Sequence, residues 1–453
     1  MTKHKLMAFV TLCGALTAVT IALVYEPSID PVDVSAVGFD AALVQKGADL
    51  ATIGDCITCH TSPGGKSFAG GLPLKTPFGT IYSTNISPDP ETGIGHWSEA
   101  AFRRAMRRGV APDGKHLYPA FPYDHFTLVS DDDDKALYAY LMTRQPIHAL
   151  SRTNELSFPF NVRFLLAGWK MLFLGSGPFK PDPAADPIWS RGAYLVLGIG
   201  HCGACHTPRN ILGAEKAQPF SGGEAEGWQA FPINSASLSP VPWTEESLKV
   251  YLRRGWHELH GVAAGPMAPV AENLSVASED DVRAIAVYVA SGMGRPFDGI
   301  ESGGRTGATR PSGNGSKPQS GGSQTVPGAP DGDIGARIYA STCATCHESG
   351  RAMPYGGIDL SLSTLLSAPS SRNFMRLLLD GLPATDGRKA PIMPEFSAIL
   401  TDEQAIAIAS YVRSHFGNKP PWQDVSVRLR EARDDQAAAP LSSAADHRPA
   451  ANK

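Results

Sequence analysis

The chain carries three copies of the pattern Cys-x-x-Cys-His: Cys56-Ile57-Thr58-Cys59-His60, Cys202-Gly203-Ala204-Cys205-His206 and Cys343-Ala344-Thr345-Cys346-His347. This pattern is typical of c-type haem attachment, because the two thiols bond to the porphyrin edge and the adjacent imidazole ligates the iron. We therefore expect three covalently bound haem c groups, with His60, His206 and His347 as proximal ligands. Three redox centres in one chain indicate electron transfer.

A lone Cys-x-x-Cys is also found in zinc sites and thioredoxin-like redox pairs. Zinc sites need further ligands at short range, but these motifs begin 146 and 141 residues apart. No βαβ pattern flanks the motifs, as a thioredoxin-like site would require. Of the seven cysteines only Cys13 lies outside the motifs, so none remains for structural disulfides.

Length and charge limit the remaining possibilities. A chain of 453 residues suggests about three domains, and a net charge of −4 argues against a nucleic-acid partner.

Residues 6–25 carry no charge and follow Lys3 and Lys5, which suits either a membrane anchor or a long signal peptide. With no convincing cleavage site, we favour an uncleaved anchor. The positive-inside rule then predicts a chain on the periplasmic side of the inner membrane.

Two methionines are candidates for the sixth iron ligand. Met267 follows His206 by 61 residues, and Met393 follows His347 by 46. Each lies in a short loop between prolines and small residues. His/Met ligation raises the reduction potential of a haem, so we expect the second and third sites to be high-potential centres.

The first copy differs at this position. A glycine stands 12 residues before each methionine, at Gly255 and Gly381, and Gly109 is its counterpart in the first copy. Phe121 lies 12 residues after Gly109 and 61 after His60. Two independent offsets therefore place a phenylalanine, which cannot ligate iron, where the other copies have methionine.

The sixth ligand of the first haem must come from another residue, unless the iron is five-coordinate. We expect Met106 and Met142 to be packing residues and His116 to be exposed in a turn. His125 lies four residues beyond Phe121, within reach of the iron after a modest loop shift. We therefore expect His60 and His125 to form a bis-histidine pair of lower potential.

Helical periodicity brackets each copy. An amphipathic stretch precedes every motif, and a second helix follows every sixth-ligand position, beginning at Ser130, Ser278 and Thr401. The acidic run 131–134 is then a helix start rather than a metal site. The expected fold is mostly α, with three cytochrome c-like haem domains in tandem behind an N-terminal anchor or signal helix. The expected divisions are an apolar anchor or signal (1–26), a first domain (38–150), an apolar linker (151–187), a second domain (188–300), a flexible linker (301–330), a third domain (331–418) and a tail (419–453). We expect the tail to be disordered from Glu431 onward.

The segment 158–179 within the first linker is strongly apolar and aromatic. One interpretation is a surface that meets the membrane, a quinone or a partner subunit. The other is a connection buried between the first two domains.

Two further stretches resemble a known family: 191–210, Arg-Gly-Ala-Tyr-Leu-Val-Leu-Gly-Ile-Gly-His-Cys-Gly-Ala-Cys-His-Thr-Pro-Arg-Asn, and 82–89, Tyr-Ser-Thr-Asn-Ile-Ser-Pro-Asp. With the three motifs, they resemble the tri-haem cytochrome c subunit of bacterial membrane-bound dehydrogenases over roughly residues 40–417. The resemblance implies a subunit without catalytic residues of its own. It would take electrons from a catalytic dehydrogenase subunit and pass them to ubiquinone or a terminal oxidase.

The variant at Phe121 bears on the partner. In the alcohol dehydrogenase branch this position is typically methionine, whereas the combination of Phe121 and His125 looks like cytochromes paired with molybdopterin and iron–sulfur dehydrogenases of aldehyde or nicotinate type. We therefore expect a molybdopterin aldehyde dehydrogenase partner with an iron–sulfur subunit. The alternatives are a subunit of a quinoprotein alcohol or gluconate dehydrogenase, a stand-alone relay, and a haem peroxidase.

Overall fold

A computed structural model describes residues 25–33, 38–175, 177–294, 333–384 and 389–438. The expected anchor or signal lies outside these residues except for its last two positions. The expected flexible linker, 301–330, lies wholly outside them. No helix in the described part of the chain is long and apolar enough to cross a membrane.

The described chain is mostly helical, as expected, with seven short strands. The helices are α1 Ala41–Ile53, α2 Cys56–Cys59, α3 Glu99–Arg108, α4 Tyr123–Phe126, α5 Asp131–Met142, α6 Leu165–Phe173, α7 Pro187–Leu197, α8 Gly203–His206, α9 Glu245–Arg254, α10 Met267–Val276, α11 Glu279–Gly292, α12 Ile334–Ile338, α13 Ala344–His347, α14 Thr364–Ser367, α15 Arg372–Asp380, α16 Asp402–His415 and α17 Val425–Ala438. A π-helical turn, Tyr339–Cys343, joins α12 to α13, and Leu360–Leu362 forms a 3₁₀ turn.

The strands form three small antiparallel sheets. They are β1 Pro73–Thr76, β2 Gly79–Tyr82, β3 Glu155–Leu156, β4 Gly223–Ala225, β5 Trp228–Ala230, β6 Trp256–His257 and β7 Gly261–Val262. Their order is β1-β2-β3, β4-β5 and β6-β7. The tight turn before β2 needs Gly79, because its φ is +124° and a Cβ would lie 2.1 Å from the carbonyl oxygen of Glu155.

Polar side chains begin the principal helices of each copy. Ser130, Ser278 and Thr401 accept hydrogen bonds from backbone N–H groups in the first turns of α5, α11 and α16, which confirms the predicted helix starts. Asp40 and Asp186 cap α1 and α7 in the same way.

One close helix crossing recurs in all three copies. A Cβ on Gly47, Gly192 or Gly335 would lie 1.9, 2.0 or 2.2 Å from a carbonyl oxygen of the later helix, and 2.7–2.9 Å from the Cβ of a tyrosine one turn on. Only glycine allows this approach, so α1 crosses α5, α7 crosses α11 and α12 crosses α16 at the same kind of contact.

The hydrophobic interior is divided unequally. Buried side chains of the first two copies, among them Leu137, Leu195 and Val282, form one continuous core. Side chains of the third copy, centred on Met375 and Leu379, form a second core.

The expected tail is partly wrong. Helix α17 occupies residues 425–438 and packs onto α15 and α16, with Val425, Leu429 and Ala432 buried in the third copy's core. Because these apolar side chains recur at helical spacing, residues 419–438 belong to the third folded unit rather than to a tail. Residues 439–453 lie outside the described part of the chain.

Candidate haem sites

Each Cys-x-x-Cys-His motif includes most of a short helix, α2, α8 or α13, that follows the first helix of its copy. The six motif cysteines form no disulfide. Burial raises the pKa of the Cys56 and Cys202 thiols to about 12. A redox-active thiol has a lowered pKa instead, so these surroundings do not favour a reactive thiolate.

Metal binding by the cysteines finds no support either. Among the described residues, the group of at least three potential ligands within 4.8 Å of one another is Asp124, His125 and Glu215, which contains no cysteine. The motifs in this part of the chain therefore lack the further ligands that a closed zinc site requires.

The three motif histidines share one second contact. The Nδ1 atom of His60 lies 2.7 Å from the carbonyl oxygen of Thr84, that of His206 lies 2.7 Å from Phe231 O, and that of His347 lies 2.9 Å from Ile358 O. A carbonyl only accepts, so Nδ1 carries the proton and donates it. The lone pair of each Nε2 is thereby left for a metal, which is the usual arrangement of an iron-ligating imidazole.

The surroundings of the motifs fit a covalently bound haem. Each motif presents two unpaired thiols and an imidazole oriented by its backbone contact. Beside the second motif, an apolar cavity of about 160 Å³ is lined by side chains that include Trp189, Phe220, Ile233 and Tyr288. Thioether bonds from the cysteines and ligation by the histidine would hold haem c here, and the apolar walls would exclude water.

Met267 and Met393 lie in matching positions of their copies. Met267 begins α10 and packs against the shared core, and Met393 pairs with Leu382 in an isolated β-bridge and packs against the third copy's core. Both thioethers are partly buried. Their role as sixth ligands stays a prediction.

The glycines that reveal the repeat have a structural cause. Gly109, Gly255 and Gly381 end α3, α9 and α15 with φ values of +56°, +77° and +67°. A side chain is strained in that conformation, so glycine stops each helix and starts the sixth-ligand loop.

Aromatic rings pack against Phe121, which stands at the predicted sixth-ligand position of the first copy. The ring of Phe121 lies 5.2 Å from that of Phe126 and packs against the shared core. Met106 is buried and Met142 is partly buried in the same core, as expected of packing residues. The expectation for His116 is wrong, since this residue is buried and is held by a bridge to Val110.

His125 lies at the boundary between the first two copies. Its Nδ1 is 2.8 Å from Leu197 O and its Nε2 is 2.7 Å from a carboxylate oxygen of Glu215, while the ring covers Gly203 of the second motif. Burial by itself would lower the pKa of His125, but hydrogen bonding to Glu215 and the charges of Asp124 and Glu215 raise it overall. Because both ring nitrogens have partners in the second copy, this arrangement does not favour His125 as a ligand of the first haem.

The first and second motifs adjoin each other. His201, just before Cys202, places Nε2 3.2 Å from the carbonyl oxygen of Gly54, two residues before Cys56. Asn273, on α10, donates a hydrogen bond to Asp55. Nothing in the spacing of the motifs along the chain indicates this contact.

The second and third copies meet on a different face. The backbone of Gln229 exchanges two hydrogen bonds of 2.8 Å with the side chain of Asn373, and Trp256 donates to the carbonyl of Lys389 at 3.2 Å. Trp228 contacts Gly265 beside Met267 and carries the guanidinium of Arg376 over its ring. The second copy therefore contacts both of the others.

Known proteins resemble this chain in sequence. The family described as cytochrome c oxidase, cbb3-type, subunit III matches residues 330–412, which covers the third motif and Met393. The gluconate 2-dehydrogenase cytochrome c subunit of Pantoea cypripedii is 37% identical over 403 residues, 83% of this chain and 86% of the relative. This chain belongs to the family of cytochrome c subunits of dehydrogenases.

Other relatives agree with this assignment. A subunit of the nicotinate dehydrogenase of Pseudomonas putida is 42% identical over 448 residues, 95% of this chain but 36% of that relative. The chain thus spans little more than a third of that protein's length. The fructose dehydrogenase cytochrome subunit of Gluconobacter japonicus is 36% identical over 392 residues, 83% of this chain and 79% of the relative. The chain is a haem c-binding electron-transfer subunit of the dehydrogenase type.

Proposed function

We propose that this chain holds three haem c groups and transfers electrons from a catalytic dehydrogenase subunit to ubiquinone or a terminal oxidase at the periplasmic side of the inner membrane. The observation that carries the proposal is the threefold recurrence of one proximal arrangement, in which a motif histidine donates from Nδ1 to a backbone carbonyl. Haem c, when bound, supplies a one-electron centre.

The residues of the chain would then bind, orient and shield these centres. Six cysteines hold the groups covalently, and the three motif histidines ligate the irons. Met267 and Met393 complete the second and third sites and raise their potentials. Because the second copy contacts both of its neighbours, we propose that its site is the middle one of a series.

Haem stoichiometry tests the number of sites. The full chain, matured in an exporting host, should contain three haems by pyridine haemochrome assay. Cys202→Ser combined with Cys205→Ser should lower the ratio to two. Cys13→Ser is the matched control and should leave it at three, because Cys13 lies outside the motifs. A ratio of two in the unaltered chain would overturn the proposal.

The proposed partner is a molybdopterin and iron–sulfur dehydrogenase of the aldehyde or nicotinate type. Two observations support this choice. Phe121 stands at the position where Met267 lies in the second copy, and the relative that matches 95% of this chain is named as part of a nicotinate dehydrogenase.

The second candidate is a quinoprotein or sugar-acid dehydrogenase partner. It is favoured by relatives named as gluconate, alcohol and fructose dehydrogenase cytochrome subunits, which match 83–89% of this chain. Purification of the chain from native membranes in mild detergent distinguishes the two. Co-eluting molybdenum and iron–sulfur clusters are the expected result. Co-eluting pyrroloquinoline quinone or flavin would move the assignment to the second candidate.

A further inference from the structure

Helix α6 places its side chains opposite to the usual pattern of a surface helix. Phe164, Leu165, Met171 and Leu172 are exposed, whereas Ala167 and Lys170 are buried. A surface helix of a water-soluble domain turns its charged residues outward and its apolar residues inward. The outward side of α6 is therefore suited to an apolar medium.

Lys170 shows why the helix is held this way round. Its Nζ donates to the carbonyl oxygens of Arg108 at 2.8 Å and Gly109 at 3.2 Å, at the carboxyl end of α3. That helix end carries a partial negative charge, which the ammonium group compensates. Burial lowers the pKa of Lys170 to about 8. This contact fixes the rotation of α6 about its own axis.

The other cation of the segment is also directed inward. Arg163 donates to the carbonyl of His116 at 2.8 Å, and its guanidinium lies 4.5 Å from the ring centroid of Tyr118. With Arg163 and Lys170 both bonded to the first copy, residues 158–173 present no charged group outward. Of the two interpretations of this segment, the structure therefore supports an exposed apolar surface and not a connection buried between the first two copies.

The exposed surface continues onto the second copy. Trp169 donates from its indole N–H to the carbonyl of Leu212 at 3.0 Å. This bond brings Ile211 and Leu212, both exposed, beside the helix. We name Phe164, Leu165, Met171, Leu172, Ile211 and Leu212 the apolar face. Contiguous exposed apolar side chains of this kind mark an interaction surface.

The place where the N-terminal segment joins the fold indicates what covers the apolar face. Glu26 pairs with the Arg108 guanidinium at 2.5 Å, and the carbonyl of this same Arg108 accepts from Lys170. The charge of Glu26 also acts on Lys170. The uncharged stretch 6–25 therefore ends close to α6, because its last residue, the exposed Tyr25, directly precedes Glu26.

We propose that the apolar face lies in the interfacial layer of a lipid bilayer, with acyl chains as its occupant. A nine-residue helix is too short to span a bilayer but suits a position parallel to its surface. The inference deepens the proposed membrane role and rests on it. Together with the N-terminal stretch, α6 would hold the first two copies in one orientation to the membrane.

Spin labelling of the full chain tests the proposal. The haem-loaded protein, with Cys13→Ser to remove the remaining free thiol, carries a nitroxide on Leu172→Cys and is reconstituted alone in phosphatidylcholine nanodiscs. Molecular oxygen, which partitions into lipid, should relax the label several-fold more strongly than a water-soluble nickel chelate. Met171→Cys provides a second position should the first variant fold poorly.

Ile399→Cys is the matched control, because Ile399 is 67% exposed in the third copy and Leu172 is 73% exposed. The control label should respond more strongly to the nickel chelate. Equal access of the chelate to both labels overturns the proposal. Shielding of the Leu172→Cys label only after a catalytic subunit is added also overturns it and assigns the apolar face to a protein contact. Haem stoichiometry and co-purification do not depend on this result, so the proposed function can fail or hold separately.

Discussion

The first and second copies agree on the proximal side of their haem sites and differ on the distal side. His60 and His206 both place Nδ1 2.7 Å from a backbone carbonyl oxygen. On the other side, Met267 in the second copy corresponds to Phe121 in the first. Under the proposed function, the shared geometry follows from haem attachment, whereas the distal residue sets the potential of each site. The same scaffold can therefore hold centres of different potential.

The largest expected effect comes from disrupting the close helix crossing that the two copies share. Gly47→Ala and Gly192→Ala place a methyl group within about 2 Å of a backbone oxygen, so each should lower the free energy of unfolding by roughly 1–3 kcal/mol or more. Thermal unfolding followed by circular dichroism measures the loss.

Gly168→Ala is the control, because a Cβ there meets nothing within 4 Å. It should be neutral or stabilising by up to about 1 kcal/mol, since alanine favours helix. If only one of Gly47→Ala and Gly192→Ala lowers the free energy of unfolding, the helix crossing does not contribute equally to stability in the two copies.

Removing the distal methionine should make the second site resemble the first. Met267→Ala deletes a thioether that favours ferrous iron. The potential of one haem should fall by an appreciable part of the roughly 0.8 V range that axial ligands span. Spectroelectrochemical titration measures it. Met293→Ala, which alters a methionine of the same core, should leave all potentials in place, and an equal fall there would contradict ligation by Met267.

Installing a methionine should bring the first site closer to the second. Phe121→Met adds a soft donor at the matching position, so the potential of the first haem should rise. Magnetic circular dichroism should then gain a thioether–iron signal. Phe121→Leu removes the ring without adding a ligand atom and controls for packing. A rise of equal size in both variants would show that packing, and not ligation, sets this potential.

The smallest expected effect concerns the contact between the two copies. His125→Ala leaves Glu215 without its 2.7 Å partner. Because the Glu215 carboxylate is partly exposed and can be hydrated, the free energy of unfolding should fall by only about 1 kcal/mol. The spectrum of the first haem should stay unchanged, and a changed spectrum would restore His125 as an iron ligand. His415→Ala, at an exposed position of α16, should have little effect on either measurement.

The same contact predicts a dependence on pH. The pKa of His125 is raised above its ordinary value of 6.5 in the folded chain. Its stabilising contribution is therefore complete below about pH 6.5 and is lost as the pH rises through the raised value. In Glu215→Gln this part of the pH dependence of unfolding should shrink, with Asp124 as the remaining acidic neighbour. An unchanged slope would contradict the His125–Glu215 pairing.

Much of the site could be read from residue order. The motifs, their histidines, the glycine twelve residues before each distal position and the helix starts all depend on neighbours along the chain, because covalent attachment and helix capping act locally. The buried position of His116 and the packed helix over residues 425–438 could not be read in this way. Each depends on a partner surface that forms only when distant segments meet.

The sequence by itself determined the cofactor class, the repeat and the difference between Phe121 and Met267. Tertiary structure alone decided three further features: His125 bonds to Glu215, the first two copies share a core, and Lys170 turns inward so that Leu172 faces outward. The physical reason is that local patterns report which side chains a helix carries. Packing against other elements then decides which of its sides is buried, and it can leave an apolar side exposed.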